Sequence, residues 1–336
     1  MTRVLTLPPS KQADNMYTRP SHRRHRKLSG VALILGIFLC SISQSFALFF
    51  FTTNVNNGLV QFDDDGSNPT VLNATGANGI LSVDSTNNDI YYPTGLTMRD
   101  YDIATKGTST VTTAVASISG IDAHAPTSRV YYAVQGSPGN RLIKRVDFGG
   151  SNDTTLLSLT NFDLPVRASY DSTNNRVYWT DLGSGSTGIN YINATTGAGR
   201  TNIGVSTTAS GLDIDNTNQK VYWTEPSTNL IRRSNLNGSS VETVASTTTQ
   251  PWGVTVDEAN SRLYWIEGNG SSTSSSRSVY QSNLDGSSAL FLFTDTSLNG
   301  SFDIDVNAIP EPSTYALIFS SLALGVALWI KRKKAA

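Results

Sequence analysis

Six copies of one short aromatic strand, spaced about 40 residues apart, constrain this chain more than any other feature. They read Phe50-Phe51-Thr52, Tyr91-Tyr92-Pro93, Tyr131-Tyr132-Ala133, Tyr178-Trp179-Thr180, Tyr222-Trp223-Thr224 and Tyr264-Trp265-Ile266, separated by 41, 40, 47, 44 and 42 residues. A period of that length carried by short aromatic strands is the signature of a β-propeller with about four strands to a blade. The spaces between are crowded with Gly, Ser, Thr and Asn, the residues that hairpins take, whereas strands take aromatic and β-branched side chains. With 38% of residues hydrophobic and regularly placed, the chain can bury a core and is not a disordered polymer.

A second element precedes each aromatic strand: Ile80–Asp84, Gly120–His124, Arg167–Asp171, Gly211–Asp215, Gly253–Asp257 and Ser301–Asp305. Most are followed by a turn such as Ser172-Thr173-Asn174-Asn175, so the pair reads as a hairpin. A third element ends in Asp or Asn and then Gly, as in Val146-Asp147-Phe148-Gly149, Leu236-Asn237-Gly238 and Leu284-Asp285-Gly286, where glycine would supply a positive φ. The repeats begin on an aromatic strand at Phe49 and finish on a preceding element at Asp305. One blade is therefore expected to be assembled from both ends of residues 48–308, closing a six-bladed ring with no exposed edge.

These residues resemble the YWTD repeat, the class B repeat of the low-density lipoprotein receptor, which builds a six-bladed propeller. The match is best in Tyr178-Trp179-Thr180-Asp181, Tyr222-Trp223-Thr224-Glu225 and Tyr264-Trp265-Ile266-Glu267. The first three repeats lack the tryptophan, and Pro93 interrupts the second.

The two ends differ from the middle. Basic residues 23–27 precede an apolar run from Leu28 to Leu39, closing on Ser45-Phe46-Ala47, so residues 1–47 read as a signal peptide cleaved by signal peptidase. The single cysteine, Cys40, lies inside that leader, leaving the exported chain without a thiol or disulfide. At the other end Pro310-Glu311-Pro312 precedes an apolar stretch, Tyr315 to Ile330, and the basic cluster 331–334. With Ser313 and Thr314 the stretch reaches the length of a transmembrane helix, and both basic clusters predict a cytoplasmic side. The tail 309–336 closely resembles the PEP-CTERM sorting signal. That resemblance implies recognition by exosortase in a Gram-negative bacterium that makes extracellular polysaccharide. It also implies an inner-membrane precursor that moves to the cell surface or extracellular matrix.

Eleven of the 25 basic residues lie in these two ends, so residues 48–309 carry 14 Lys and Arg against 24 Asp and Glu. A domain with a net charge of −10 is repelled by phosphate backbones, which argues against nucleic acid as a partner. Enzyme signatures are scarce: outside the leader the chain has one histidine, His124, in the slot held by Asp84, Asp171, Asp215, Asp257 and Asp305 elsewhere. No cysteine nucleophile, second histidine or phosphate loop accompanies it. The sequence therefore reads as a binding or scaffolding protein rather than an enzyme, with no required cofactor.

Two constellations are candidate sites. The central positions of the preceding elements run Ser82, Asp122, Ser169, Asp213, Thr255, Asp303, a carboxylate in every second repeat. If these line the channel, Asp122, Asp213 and Asp303 could ligate calcium, as in a calcium-dependent propeller hydrolase of the lactonase kind, the alternative function. They could equally cap backbone N–H groups or bind channel water. The second is a stacking surface for a sugar ring or partner peptide made by Trp252, with Arg167 and Phe162 in the corresponding region of another blade. Packing of Trp252 against the neighbouring blade is the competing reading. Trp179, Trp223 and Trp265, which belong to the repeat, are expected in the core.

Overall fold

The structure, a computed structural model, describes residues 47–308 apart from 53–57, 64–66, 73–75, 78, 207, 270–275 and 296–302. The leader, Pro310-Glu311-Pro312 and the apolar tail lie outside the described residues, among which no helix is long and apolar enough to cross a membrane. The described strands form six four-stranded antiparallel sheets. Five are meanders of consecutive strands. The sixth draws on both ends: Ile304–Ala308 pairs with Ala47–Thr52, followed outward by Leu59–Phe62 and Thr70–Val71. The innermost strands, Ser82–Asp84, Ser117–His124, Pro165–Asp171, Leu212–Asp215, Pro251–Asp257 and Ile304–Ala308, neighbour one another in a closed circle. The fold is an all-β propeller.

Strand alternation explains why the second strand of each blade carries two adjacent aromatics. Successive side chains point to opposite faces of a sheet. Trp179 packs into a cluster with Tyr131, Ala133 and Ile143 of the preceding blade, whereas its neighbour Tyr178 packs with Leu212, Val221 and Trp223 of the following one. Tyr222 and Trp265 meet in the same way one junction further on. All three repeat tryptophans are buried, as their place in the repeat predicts. An aromatic ring of this size buries about 150–250 Å², roughly 4–6 kcal/mol at about 25 cal/mol/Å² as an upper bound, so these junctions carry much of the core.

The polar atoms of the repeat are also accounted for. Tyr178 and Tyr222 donate their hydroxyls to the carbonyls of Leu236 and Leu284 in the outer turns of the next blade, both at 3.0 Å. The Nε1 groups of Trp223 and Trp265 donate to Glu225 and Glu267, at 2.9 and 2.8 Å. Thr180 and Thr224 donate to the carbonyls of Ser210 and Trp252 across the blade junction, at 2.9 and 2.6 Å. Each position of Tyr-Trp-Thr-Asp/Glu thus either fills a junction or satisfies a donor inside one, as burial requires.

Turns follow the same economy. Asp84, Asp171, Asp215 and Asp257 each accept the backbone N–H and the side-chain amide of the asparagine three residues on, Asn87, Asn174, Asn218 and Asn260. His124 replaces this carboxylate, and there the chain makes the 3-10 turn Ala125–Thr127, with His124 Nδ1 against Thr127 Oγ1 at 2.9 Å. Gly238 and Gly286 have φ of 83°, as the outer-turn pattern predicts. In the blade of Asp147 that conformation falls on Gly150 rather than Gly149. A Cβ on Gly238 would sit 2.0 Å from the Ile203 carbonyl oxygen, so glycine there also permits close approach to the preceding blade.

Because Ile304–Ala308 is the partner of Ala47–Thr52, a chain ended after residue 302 leaves that strand unpaired on its inner side. Such a chain is expected to lose the single cooperative thermal transition followed by circular dichroism. A transition unchanged in midpoint and sharpness would contradict the closure.

Candidate functional site

Six inner strands converge on one axis, and their backbone N–H groups need acceptors that no further strand can supply. The side chains supply them. Ser82, Asp122, Ser169, Asp213 and Thr255 lie opposite Tyr91, Tyr131, Tyr178, Tyr222 and Tyr264 in the second strands. In the sheet closed by both ends, Asp305 lies opposite Phe50. The sixth member of this belt is therefore Asp305, not Asp303. Counting back from the terminal aspartate of each preceding element misplaces the register by two residues, because this last strand continues to Ala308 rather than turning after Asp305.

The belt links every adjacent pair of blades. Asp305 accepts the N–H of Val83 at 2.8 Å, Ser82 Oγ that of Ala123 at 2.9 Å, and Asp122 that of Tyr170. Ser169 donates its hydroxyl to Asp213 at 3.1 Å, Asp213 accepts the N–H of Val256 at 2.7 Å, and Thr255 donates to Asp305 at 3.0 Å. Asp213 and Asp305 also accept the N–H of the residue that follows each, Ile214 and Val306, both at 2.8 Å. The carboxylate in every second blade is a fastening between inner strands.

Asp303 belongs to another layer. It sits across the axis from Arg167, whose Nε lies 3.6 Å from its Oδ1, while its Oδ2 accepts the N–H of Leu81 at 3.2 Å. Arg167 also donates to the carbonyls of Ser119 and Val166, both at 3.2 Å. In this layer three other blades carry Gly120, Gly211 and Gly253, in or just before their inner strands, where a Cβ would meet the Ala168 nitrogen, the Trp252 oxygen and the Asp303 Cα of the next blade at 2.5, 2.2 and 2.8 Å. Neighbouring blades thus approach closely in this layer, and the Arg167–Asp303 pair bridges the axis.

Two cavities result. One, of about 310 Å³, contains the belt and is lined by Ser85, His124, Asn216 and Glu258 at the face of the Asp-capped turns. The other, of about 340 Å³, lies at the face where the connections between blades enter, and is lined by Ile80, Ser117, Ile118, Gln135, Ser210, Trp252 and others. Arg167 lines both.

Electrostatics separates the two. Desolvation, with the neighbouring carboxylates, raises Asp122 to about 7 and Asp305 to about 6. Desolvation and the charges of Asp122 and Asp305 push Asp213 well above the usual carboxylate range. The turn-capping Asp84, Asp171, Asp215 and Asp257, with Asp102, Asp147 and Asp285 of the outer turns, all crowd the same end, so excess negative charge collects on the turn face. The three expected calcium ligands, Asp122, Asp213 and Asp303, line one cavity but are engaged differently. Asp122 and Asp213 share the belt, Asp303 pairs with Arg167, and among the described residues no group of three or more His, Cys, Asp or Glu could hold a metal ion.

The stacking surface is assembled in part. Arg167 and Trp252 line the loop-face cavity together. Trp252 is half-buried, packs against the cluster of Phe62, Tyr264 and Ile304, as the competing reading has it, and donates Nε1 to the Gly268 carbonyl at 3.1 Å. The Arg277 guanidinium lies 5.9 Å from the Trp252 ring centroid. Phe162 is 68% exposed on the same face but does not line the cavity. Leu96, Val115 and Leu182, in connections at that face, are exposed too. Ser117, Gln135 and Ser210 carry no repeat signal in the sequence. Ser117 and Gln135 pair across one hairpin, and Ser210 joins them from a second blade only once the ring closes.

No protein-family model matches the sequence, and no curated protein matches it. Solved structures do. A putative TolB from Agrobacterium tumefaciens is similar at TM-score 0.60 and 11% identity, over 78% of this chain and 96% of that one. TolB from Acinetobacter baumannii gives 0.58 and 12%, over 72% of this chain and 62% of that one, so this chain spans less than two thirds of that protein. A chain of a nidogen/laminin complex gives 0.48 and 15%, over 65% and 98%. The two TolB likenesses are likenesses of fold alone.

The belt makes stability depend on pH with a definite sign. An unfolded aspartate loses its proton near pH 4, whereas Asp305 and Asp122 in the folded chain hold theirs to about 6 and about 7. The contribution is present in full below about pH 4 and is lost as pH rises through about 6 to 7. Asp213→Asn removes the charge but also one acceptor oxygen. The variant is expected to melt below the wild type at pH 4.5, with the gap closing or reversing by pH 8. A gap independent of pH would contradict the coupling.

Proposed function

We propose that this chain is an exported, non-enzymatic binding or scaffolding module that engages its ligand at the loop face of the propeller. The observation that carries the reading is the division of the channel. The belt side chains that line one cavity are engaged in hydrogen bonds that fasten the inner strands, while the other cavity opens beside Trp252 on the face that also exposes Leu96, Val115, Phe162 and Leu182. Apolar side chains gathered around a concavity are the ordinary composition of a binding surface. The acidic turn face faces away from it, so an anionic polymer rejected by the domain as a whole can still approach the loop face.

The setting rests on the ends of the chain. A leader ending at Ala47, cleaved by signal peptidase, and a Pro310-Glu311-Pro312 tail handed to exosortase place the propeller outside the inner membrane. From there it goes to the cell surface or the extracellular matrix. Extracellular polysaccharide is the ligand that this setting offers in greatest amount, with another surface protein as the competing partner. A calcium-dependent hydrolase is the lesser reading. The belt oxygens accept backbone N–H groups, Asp303 is held by Arg167, and His124 is engaged with Thr127 at the rim.

The test is a titration of the full chain, purified in mild detergent, with the host's extracellular polysaccharide in calcium and in chelator. Saturable binding is expected in both, weakened about tenfold or more by Trp252→Ala, the loss of one central aromatic anchor. Binding that requires calcium and ignores the substitution would contradict the loop-face reading.

A further inference from the structure

The loop-face cavity has a chemistry more specific than an apolar mouth. Arg167 is the one charged side chain among the described residues that line it. Its counter-ion Asp303 does not line this cavity: it and the belt carboxylates Asp122, Asp213 and Asp305 line the other, behind the guanidinium. The wall beside Arg167 holds neutral hydrogen-bonding groups, Ser117, Gln135 and Ser210, and one indole, Trp252. The charge nearest an anion entering from the loop face is thus a cation, largely buried and shared with Asp303 behind it. A planar guanidinium matches a carboxylate in geometry as well as charge. Hydroxyl and amide side chains around an indole suit a hydroxylated ring, and about 340 Å³ falls in the range of small-ligand pockets.

We infer that the loop-face cavity binds a carboxylated sugar, a uronate residue of a polysaccharide, with its carboxylate on Arg167 and its ring against Trp252. The inference rests on the binding reading above and deepens it by naming the ligand class. Arg167 is then both the strut that divides the channel and the residue that selects for the anion, while Asp303 attenuates it. This couples two properties: weakening the Arg167–Asp303 pair from the Asp303 side strengthens the ligand site.

The experiment is calorimetric titration of the full chain with three probes at matched concentration: a polyuronate oligosaccharide, a neutral oligosaccharide of equal length, and a glutamate-rich peptide. The polyuronate is expected to bind, the neutral sugar at least about tenfold more weakly, the share carried by one charge-assisted hydrogen bond. Arg167→Lys keeps the charge without the fork and is expected to weaken polyuronate binding severalfold. Asp303→Asn keeps an acceptor for Leu81 and is expected to tighten it, most at low salt. Thermal melting of each variant separates lost folding from lost affinity, and tightening by Asp303→Asn cannot arise from misfolding. Equal affinity for both sugars, or no gain in Asp303→Asn, would overturn the inference while leaving a sugar-binding module. Binding of the peptide alone would overturn it in favour of a protein partner. Binding of none would overturn both this inference and the saccharide reading.

Discussion

Everything in this propeller depends on one constraint: six strands must meet around an axis without leaving their inward backbone N–H groups unpaired. An unpaired buried donor costs about 1–3 kcal/mol, and several of them would consume the stability of an ordinary domain. The chain meets the constraint with a belt of short side chains, each reaching the neighbouring inner strand. Alternating carboxylates with Ser and Thr is the workable compromise. A carboxylate accepts two backbone donors, as Asp213 does from Ile214 and Val256, but desolvation first, and neighbouring carboxylate charge second, raises the pKa of each of the three. Hydroxyls between them space the charges.

That solution shapes both cavities along the axis. The belt oxygens that serve the backbone line the turn-side cavity, which is therefore structural in the proposed reading. One layer away the requirement relaxes. Glycines at 120, 211 and 253 let strands approach, and the single long side chain, Arg167, crosses to Asp303 on the closing strand. The pair fastens the C-terminal strand to the opposite side of the ring and walls off the loop-face cavity, so one interaction serves both closure and site shape.

Much of this was legible in the sequence because the repeat is enforced by packing. The Tyr-Trp pairs fill opposite blade junctions, which requires two adjacent aromatics at each step of the ring, and the Asp-x-x-Asn turns advertise their own geometry. Register in the last strand was not legible. Its two aspartates, Asp303 and Asp305, point the same way, and only pairing of Phe50 with Asp305 decides which belongs to the belt. The same limit hid the role of Arg167, which is set by a residue 136 positions away on a diametrically placed strand. Ser117, Gln135 and Ser210 share no motif. Ser117 and Gln135 meet across one hairpin, but Ser210 reaches them only through ring closure, of which local sequence carries no trace.

The account stands or falls on which face of the propeller is used. Amide hydrogen exchange on the full chain, with and without the host's extracellular polysaccharide, tests that directly, since bound ligand slows exchange where it excludes water and restrains opening. Slowed exchange confined to the connections at 79–80, 116–119, 135–136, 210–211 and 252–253 is the predicted result. Slowed exchange at the Asp-capped turns around Asn87, Asn174, Asn218 and Asn260, with the loop face unchanged, would contradict it.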